Sequence, residues 1–484
     1  MSKHVLSAVF FLVVLAYTST SAQDLCPPGV ASSKLICVIP QAFGVSQTLN
    51  VGNPTQTVNQ SLFRLDTLKQ SLRPLNSSVA RESTLLPLAS PSGITFLWDP
   101  AAKVSVPSAD SLGPILGERA ETIGKNKLFL GLSYQFFEFD RLDGINLKQL
   151  PVAITQSDDS QTFGGNPTCS VNGANLDQCG YIRDIITTNT RLNLKVHQVT
   201  SFFTYGFTNR IDISMAIPIE NARMAAFSTA TIVDNSHSNV HSFPIVNGCG
   251  STSGGVIVPC LVNSFPSVRS VSGIGDITFR VKSNAWKSEN ERAGLALGVD
   301  VRTPTGDALN FLGAGTYGVR PFVVWSYRWR IAPHWSAGYQ INGDSLLAGD
   351  ISTGKKARLP GALTYTAGAD FWVTKMLSGA FDVIGQEVFE ADRTTVTQVP
   401  VPGACVDTSG ACDSAQGFAP SQNDPSLSRT TASFNSTSMS VGAKIRPFGS
   451  SSSFLITGNA LIGVNSSGGL HSKVVPLLGA SYTF

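Results

Sequence analysis

The sequence predicts an all-β protein, a transmembrane antiparallel β-barrel of about 12 strands (about 10 to 14) preceded by a partly helical N-terminal extension. Three observations carry this. The last residues, VVPLLGASYTF, put Val474, Pro476, Leu478, Ala480, Tyr482 and Phe484 on one face and Gly479, Ser481 and Thr483 on the other. A terminal aromatic on such a strand is the pattern of the closing strand of a bacterial outer-membrane barrel. Hydrophobic residues make up 42% of the chain and charged residues only 14%, against about 25% charged in an average soluble domain, without a long apolar helix after the first residues. The third is an export signal.

That signal occupies residues 1–22. Lys3 and His4 precede an apolar run from Val5 to Tyr17, and Thr20-Ser21-Ala22 provides the small residues of a cleavage site, so Gln23 is expected to begin the mature chain. The run is shorter than the ~20 residues of a spanning helix, and Cys26 lacks the small-residue context of a lipoprotein.

Residues 23–126 are too many for a linker and are read as a periplasmic or plug segment. Thr57 and Gln60 fit a capping box, and Val58, Leu62, Leu65, Leu68 and Leu72 recur at helical spacing until Pro74 stops them. Such a helix would serve either as a plug inside the barrel or as a periplasmic cap or tether; periodicity identifies its apolar face but not its cover. Gly93–Asp99 reads as a short additional strand.

The barrel is assigned to residues 127–484. Ile211, Ile213, Met215, Ile217 and Ile219 alternate with Asp212, Ser214, Ala216 and Pro218, and the stretches around Phe279 and Leu297 repeat the pattern. Strands are expected to begin near Lys127, Arg191, Arg210, Gly275, Arg292, Gly318, His334, Gly361, Ser378, Ser438, Phe454 and Val474, each about 9 to 11 residues long. Short turns (Tyr205–Asn209, Asn284–Glu291, Arg330–Pro333, Thr374–Leu377, Pro447–Ser453) alternate with long loops (Arg141–Thr190, Glu220–Ser272, Thr303–Tyr317, Asp344–Pro360, Ala391–Thr437, Asn465–Lys473). This places both termini in the periplasm.

The eight cysteines fall into four local pairs, Cys26 with Cys37, Cys169 with Cys179, Cys249 with Cys260, and Cys405 with Cys412. None has C-x-x-C spacing, and an exported chain passes an oxidising compartment, so four local disulfides are expected and no metal.

Tyr205-Gly206-Phe207-Thr208-Asn209-Arg210-Ile211-Asp212, then Gly273-Ile274-Gly275-Asp276, then Thr303-Pro304-Thr305-Gly306-Asp307, resemble the motif series of outer-membrane transport proteins of a phenol-degradation pathway of MetA type. That family is grouped loosely with FadL-type channels for hydrophobic compounds. The resemblance covers roughly residues 190–484 and implies a barrel that admits small aromatic or apolar molecules.

An enzyme is not expected. G-x-S-x-G and H-E-x-x-H do not occur. His237 and His241 sit in a Ser/Asn-rich outer loop, His197 and His334 are placed toward the lumen, and no histidine is assigned to the lipid face, where a barrel phospholipase would need one beside a serine. The +3 net charge is too small, and too dispersed, for a nucleic-acid partner.

Inside the barrel, Gly131, Gly294, Gly298, Gly338, Gly368 and Gly442 are expected to point inward and leave space, with Arg280, Asp300, Arg302, Arg320, Arg328, Asp370 and Arg446 lining the wall. These charges either line a path for solute or pair with one another across the lumen, and the glycines either leave space or serve strand packing. The expected function is passive uptake of small molecules, with no cofactor. Outer-membrane lipid, the barrel-assembly machinery (through Phe484 as assembly signal) and a small solute are the expected partners. The alternatives are a structural or adhesive surface protein and a secreted soluble β protein.

Overall fold

The computed structural model describes residues 24–41 except 28, 73–85, 96–99, 104–107, 112–155, 183–237, 241–243, 252–253, 256–257, 260–351, 353–406, 419–449 and 452–484. Twelve strands close into one antiparallel barrel in chain order. They are β1 (Leu128–Phe139), β2 (Ile185–Gly206), β3 (Ile211–Val233), β4 (Thr278–Lys287), β5 (Ala293–Arg302) and β6 (Gly318–Tyr327), followed by β7 (Ile331–Asn342), β8 (Ala362–Thr374), β9 (Leu377–Val401), β10 (Gln422–Ile445), β11 (Phe454–Gly463) and β12 (Val474–Thr483). β12 seals against β1, with Leu477 opposite Gln135 and Thr483 opposite Phe129. The alternation read from the sequence is the cause, because a closed sheet satisfies every backbone group while presenting two different faces.

Leu128, Leu132, Tyr134, Phe279, Leu297 and Ile456 all expose their side chains outward, while their strand neighbours point inward and are buried or partly buried. Leu297 is 53% exposed, which in a water-soluble sandwich would be an uncovered apolar face. Aromatic residues gather at the short-turn end (Phe207, Trp286, Trp329, Phe448, Phe484) and at the opposite rim (Tyr317, Tyr339, Phe389). An apolar band between two aromatic girdles is the exterior of an outer-membrane barrel.

Four strands are longer than expected. β2, β3, β9 and β10 have 22, 23, 25 and 24 residues, so much of Arg141–Thr190, Glu220–Ser272 and Ala391–Thr437 is hairpin and not loop. Once past the apolar band, the outward positions turn polar, as at Arg191 and Asn193, and the backbone ladder continues all the same. Val262–Ile274 adds to the distal part of β3, and Leu150–Ile154 to that of β2. The turn expected at Arg330–Pro333 is shifted, since β7 already begins at Ile331.

The helix expected over Val58–Leu72 lies outside the described residues. The described helix, α1, spans Arg73–Leu85 with Pro74 as its second residue, so Pro74 does not end helical structure here; a proline near a helix start gives up no bond that the first turn would make. Phe96–Asp99, within the expected Gly93–Asp99, pairs with Val104–Pro107.

Residues 24–41 sit at the long-loop end of the barrel. Leu25 N donates to Ile351 O, and Leu35 N to Asn310 Oδ1. Phe484 lies at the other end, its amide bonded to Leu128 O. The two ends of the described chain are therefore at opposite ends of the barrel, which corrects the expectation of a shared side. The largest apolar cluster also lies at the long-loop end, where Leu35, Ile36, Leu75, Leu142, Phe311 and Leu347 bury one another. Loops, α1 and residues 24–41 thus form a cap over that mouth.

Candidate channel interior

All seven charged residues assigned to the wall point inward. Arg302, Arg328, Asp300, Asp370 and Arg446 are buried, and Arg280 and Arg320 partly so. Alternation on each strand makes this unavoidable once the apolar residues face lipid. The six glycines also point inward, but the space beside them is filled. A Cβ on Gly294 would meet Ala120 at 3.2 Å, one on Gly442 would meet Ile115 at 2.6 Å, and Phe322 occupies the space beside both Gly298 and Gly338. Phe129 lies beside Gly131, and Asp382 beside Gly368.

Ala120 and Ile115 belong to residues 112–124, which run inside the lumen and bond to one strand after another. Leu112 N donates to Ser378 Oγ (3.0 Å) and Gly117 N to Asp382 Oδ2 (3.3 Å). Arg119 pairs with Asp370. Ala120 N donates to Ser326 Oγ (3.0 Å), and Ala120 O accepts from Asn284 Nδ2 (2.8 Å). Ile123 N donates to Asp212 Oδ2 (3.0 Å). Peptide groups that would otherwise be buried and unsatisfied are matched by wall side chains, which is what lets irregular backbone sit at this depth.

The charges form a network above this segment. Arg280 makes a two-pronged contact with Asp300 (2.6 and 2.9 Å) and reaches Glu118 Oε2 (2.7 Å), while Arg320 also binds Asp300 (2.6 Å). Lys282 lies 3.2 Å from Glu118. The guanidinium groups of Arg280 and Arg320 stand 4.9 and 5.7 Å from the Phe322 ring centre. Arg328 pairs with Glu121 (3.5 Å), and Arg302 with Asp276 (3.6 Å). Pairing occurs between neighbouring strands and with the lumen segment, so neither an open charged wall nor simple pairing across the lumen describes it. His334 is inward as expected, 2.6 Å from Asp382 and 3.6 Å from Asp370.

Between this floor and the cap lies a cavity of about 210 Å³. Phe137, Phe139, Leu116, Leu461 and Val475 form one part of its lining, and Arg302, Arg320, Gln340, Tyr365 and Gln386 another. Arg302 Nη1 and Gln386 Oε1 are buried without a hydrogen-bond partner. An apolar enclosure of about 150 Å³ holds benzene, so this one is of single-ring size, with polar groups at one side.

Residues 112–124 lie within the segment read as periplasmic or plug, but the plug was expected from the helix over Val58–Leu72, and neither this stretch nor the wall residues Asp212, Lys282, Asp382 and Lys444 that surround it were singled out. The signal was there in Glu118-Arg119-Ala120-Glu121, a charged run within a charge-poor chain. Gly206, Asn209 and Asp307 of the motifs seat the N-terminal segment, and Asp276 holds the loop that carries the third motif. A Cβ on Gly206 would overlap the Gly124 carbonyl, Asn209 O accepts from Thr122 Oγ1 (2.9 Å), and Asp276 accepts from the amides of Gly306 (3.0 Å) and Ala314 (2.8 Å). Asp307 holds Lys34 at 2.7 Å.

His197 faces outward, not into the lumen, with Nδ1 2.8 Å from the Tyr134 hydroxyl. The exterior therefore does carry a histidine, and among the described residues no serine hydroxyl is bonded to it. His237 lies 3.1 Å from Cys405 O, and His241 2.7 Å from Asp184. Burial raises the pKa of Asp184, and the hydrogen bond from His241 acts against it. Cys26 and Cys37 are joined. Cys260 and Cys405 each take part in a disulfide, whereas Cys169, Cys179, Cys249 and Cys412 lie outside the described residues.

No curated protein matches the chain. Among solved structures, an outer membrane channel of Pseudomonas putida F1 is 12% identical with a TM-score of 0.41, covering 75% of this chain and 98% of that one. A Pseudomonas aeruginosa FadL homologue is 13% identical (TM-score 0.29, coverage 81% and 98%), and the Ralstonia pickettii toluene transporter TbuX is 11% identical (TM-score 0.24, coverage 75% and 90%). Residues 226–399, which include two of the three motifs, match the family described as "Putative MetA-pathway of phenol degradation", the family that the motifs resemble.

Proposed function

We propose that this outer-membrane barrel is a gated channel for small aromatic or apolar molecules that carry one polar group. The reading rests on the cavity between cap and lumen segment, whose apolar part suits a ring and whose Arg302, Arg320 and Gln386 suit a hydroxyl or carboxylate. Residues 112–124 act as the plug, and the wall residues Arg280, Asp300, Arg302, Arg320, Arg328, Asp370 and Arg446 hold it or meet solute. The signal peptide ends at Ala22, the short turns and Phe484 face the periplasm, and the cap faces outward. The chain transports and does not catalyse.

Liposome swelling tests this. Vesicles containing the full mature chain should admit benzoate or phenol faster than a sugar of similar size, and Arg302→Met should slow benzoate more than phenol. Equal entry of all three solutes, or none above empty vesicles, contradicts the reading.

A further inference from the structure

The outward face of the β1–β3 region carries a cationic patch where the apolar band ends. On β1, Leu128, Leu130, Leu132, Tyr134 and Phe136 face outward and Glu138 follows. On β2 the outward series rises from Tyr205 and Phe203 through Val199 to His197 and then Lys195. Lys195 is directly opposite Arg223 of β3, and Arg223 is directly opposite Ser270 of Val262–Ile274. Side chains so placed have Cβ atoms about 5 Å apart, and like charges there repel.

Glu138, at 3.0 Å, neutralises Lys195 but stands two strands away from Arg223. The outward neighbours of Arg223 are Lys195, Ser270, Asn221 and Ala225, with no carboxylate among them. Arg191 adds a further exposed cation higher on β2. Asn221, bonded to Ser270 (3.2 Å) and Ser272 (2.7 Å), makes the surroundings polar and ordered. Arg223 is thus left, among its outward neighbours, without the carboxylate that Lys195 has, and is open to an anion from outside the chain.

With the long-loop end taken as the outer one, as proposed above, we propose that Lys195 and Arg223, with Ser270 beside them, bind a phosphate of a phosphorylated glycolipid in the outer leaflet. Height and charge select this occupant. The patch lies at the upper edge of the apolar band, where acyl chains give way to head groups. Tyr134 and Phe136 below it offer apolar surface to the acyl chains of the same molecule. Guanidinium and ammonium groups converging on phosphate make charge-assisted hydrogen bonds, which are the strong ones.

The test uses the full mature chain in detergent, titrated with bisphosphorylated lipid A and followed by native mass spectrometry. Dephosphorylated lipid A, phosphatidylglycerol and inorganic phosphate are the comparison ligands. Wild type should hold bisphosphorylated lipid A at least about tenfold more tightly than each of the three, and Arg223→Gln should lose about that preference while keeping heat-modifiable mobility. Retained preference in Arg223→Gln overturns the proposal. Should that variant fail to fold, the wild-type comparison still decides: equal binding of the dephosphorylated lipid or of phosphatidylglycerol, or equal capture of free phosphate, overturns it.

Discussion

Arg119 of the lumen segment is ion-paired with Asp370 of β8 inside the barrel, both side chains almost fully buried. One end of this pair belongs to a segment without regular structure and the other to the wall, so the pair fixes where the segment sits. Breaking a buried pair costs about 3 to 5 kcal/mol because a charge is left behind. His334, 3.6 Å from Asp370, remains to face that charge, so Arg119→Ala is expected at the lower end. Single-channel recordings should show larger or more frequent openings in Arg119→Ala, with the barrel's heat-modifiable mobility unchanged. Recordings indistinguishable from wild type would mean that the pair does not hold the segment.

Faces of one strand give opposite predictions at adjacent positions. Leu297 points outward and Gly298 inward. Leu297→Arg should cost about 2 to 4 kcal/mol of stability in lipid, measured by unfolding in vesicles. Gly298→Ala should cost about 1 to 3 kcal/mol by overpacking, since its Cβ would overlap the Phe322 ring. A neutral result at either position places that side chain on the wrong face.

The cap is docked partly by Lys34 and Asp307, 2.7 Å apart. Partial burial alone would raise the Asp307 pKa, but the hydrogen bonds from Lys34, Asn310 and Leu309, with the Lys34 charge, outweigh it and hold it below 3.8. A carboxyl lowered in the folded state adds stability that is fully present above its ordinary value and is lost as pH falls through the lowered one. Docking by this pair should therefore be complete at neutral pH and weaken only in strong acid. In Lys34→Met, the carboxyl carbon resonance of Asp307 should titrate at higher pH than in wild type; an unchanged midpoint would remove the pair from the docking.

Phe484 contributes a backbone bond from its amide to Leu128 O (2.8 Å) and an edge contact with Tyr482 at 4.6 Å. The first survives any substitution other than proline. Phe484→Ser should therefore refold in detergent nearly as wild type while inserting poorly into membranes in cells, as loss of an assembly signal would produce. Equal losses in both settings would assign Phe484 to stability instead.

Strands such as β5 and β12 were legible because lipid outside and polar groups inside impose a period of two, which survives any detail of packing. Hairpin length was not. Beyond the band, both faces of β2 carry polar residues, Arg191 and Asn193 outward, Thr188 and Thr190 inward, so composition resembles that of a loop. The same loss of contrast around Gln198 and Thr200 misplaced His197 by one position of parity. Arg280, Asp300 and Asp370 were recognisable as inward residues, but their partners were not. Glu118 and Arg119 reach them from a stretch with no periodicity of its own, and such a stretch reveals its place only through the side chains that bind it. Cys26 and Cys37, close in sequence, could be paired by proximity alone.

If residues 112–124 plug the lumen, they have to move for solute to pass, and tethering them to the wall blocks that movement. Ala120 and a Cβ on Gly294 would be 3.2 Å apart, close enough for Ala120→Cys with Gly294→Cys to form a cross-link. Benzoate entry into vesicles is compared between the oxidised double variant and each single variant. The cross-linked protein should be closed while both single variants conduct. Entry through the cross-linked barrel at the rate of the single variants would contradict it, because solute would then be passing a segment that cannot leave the wall.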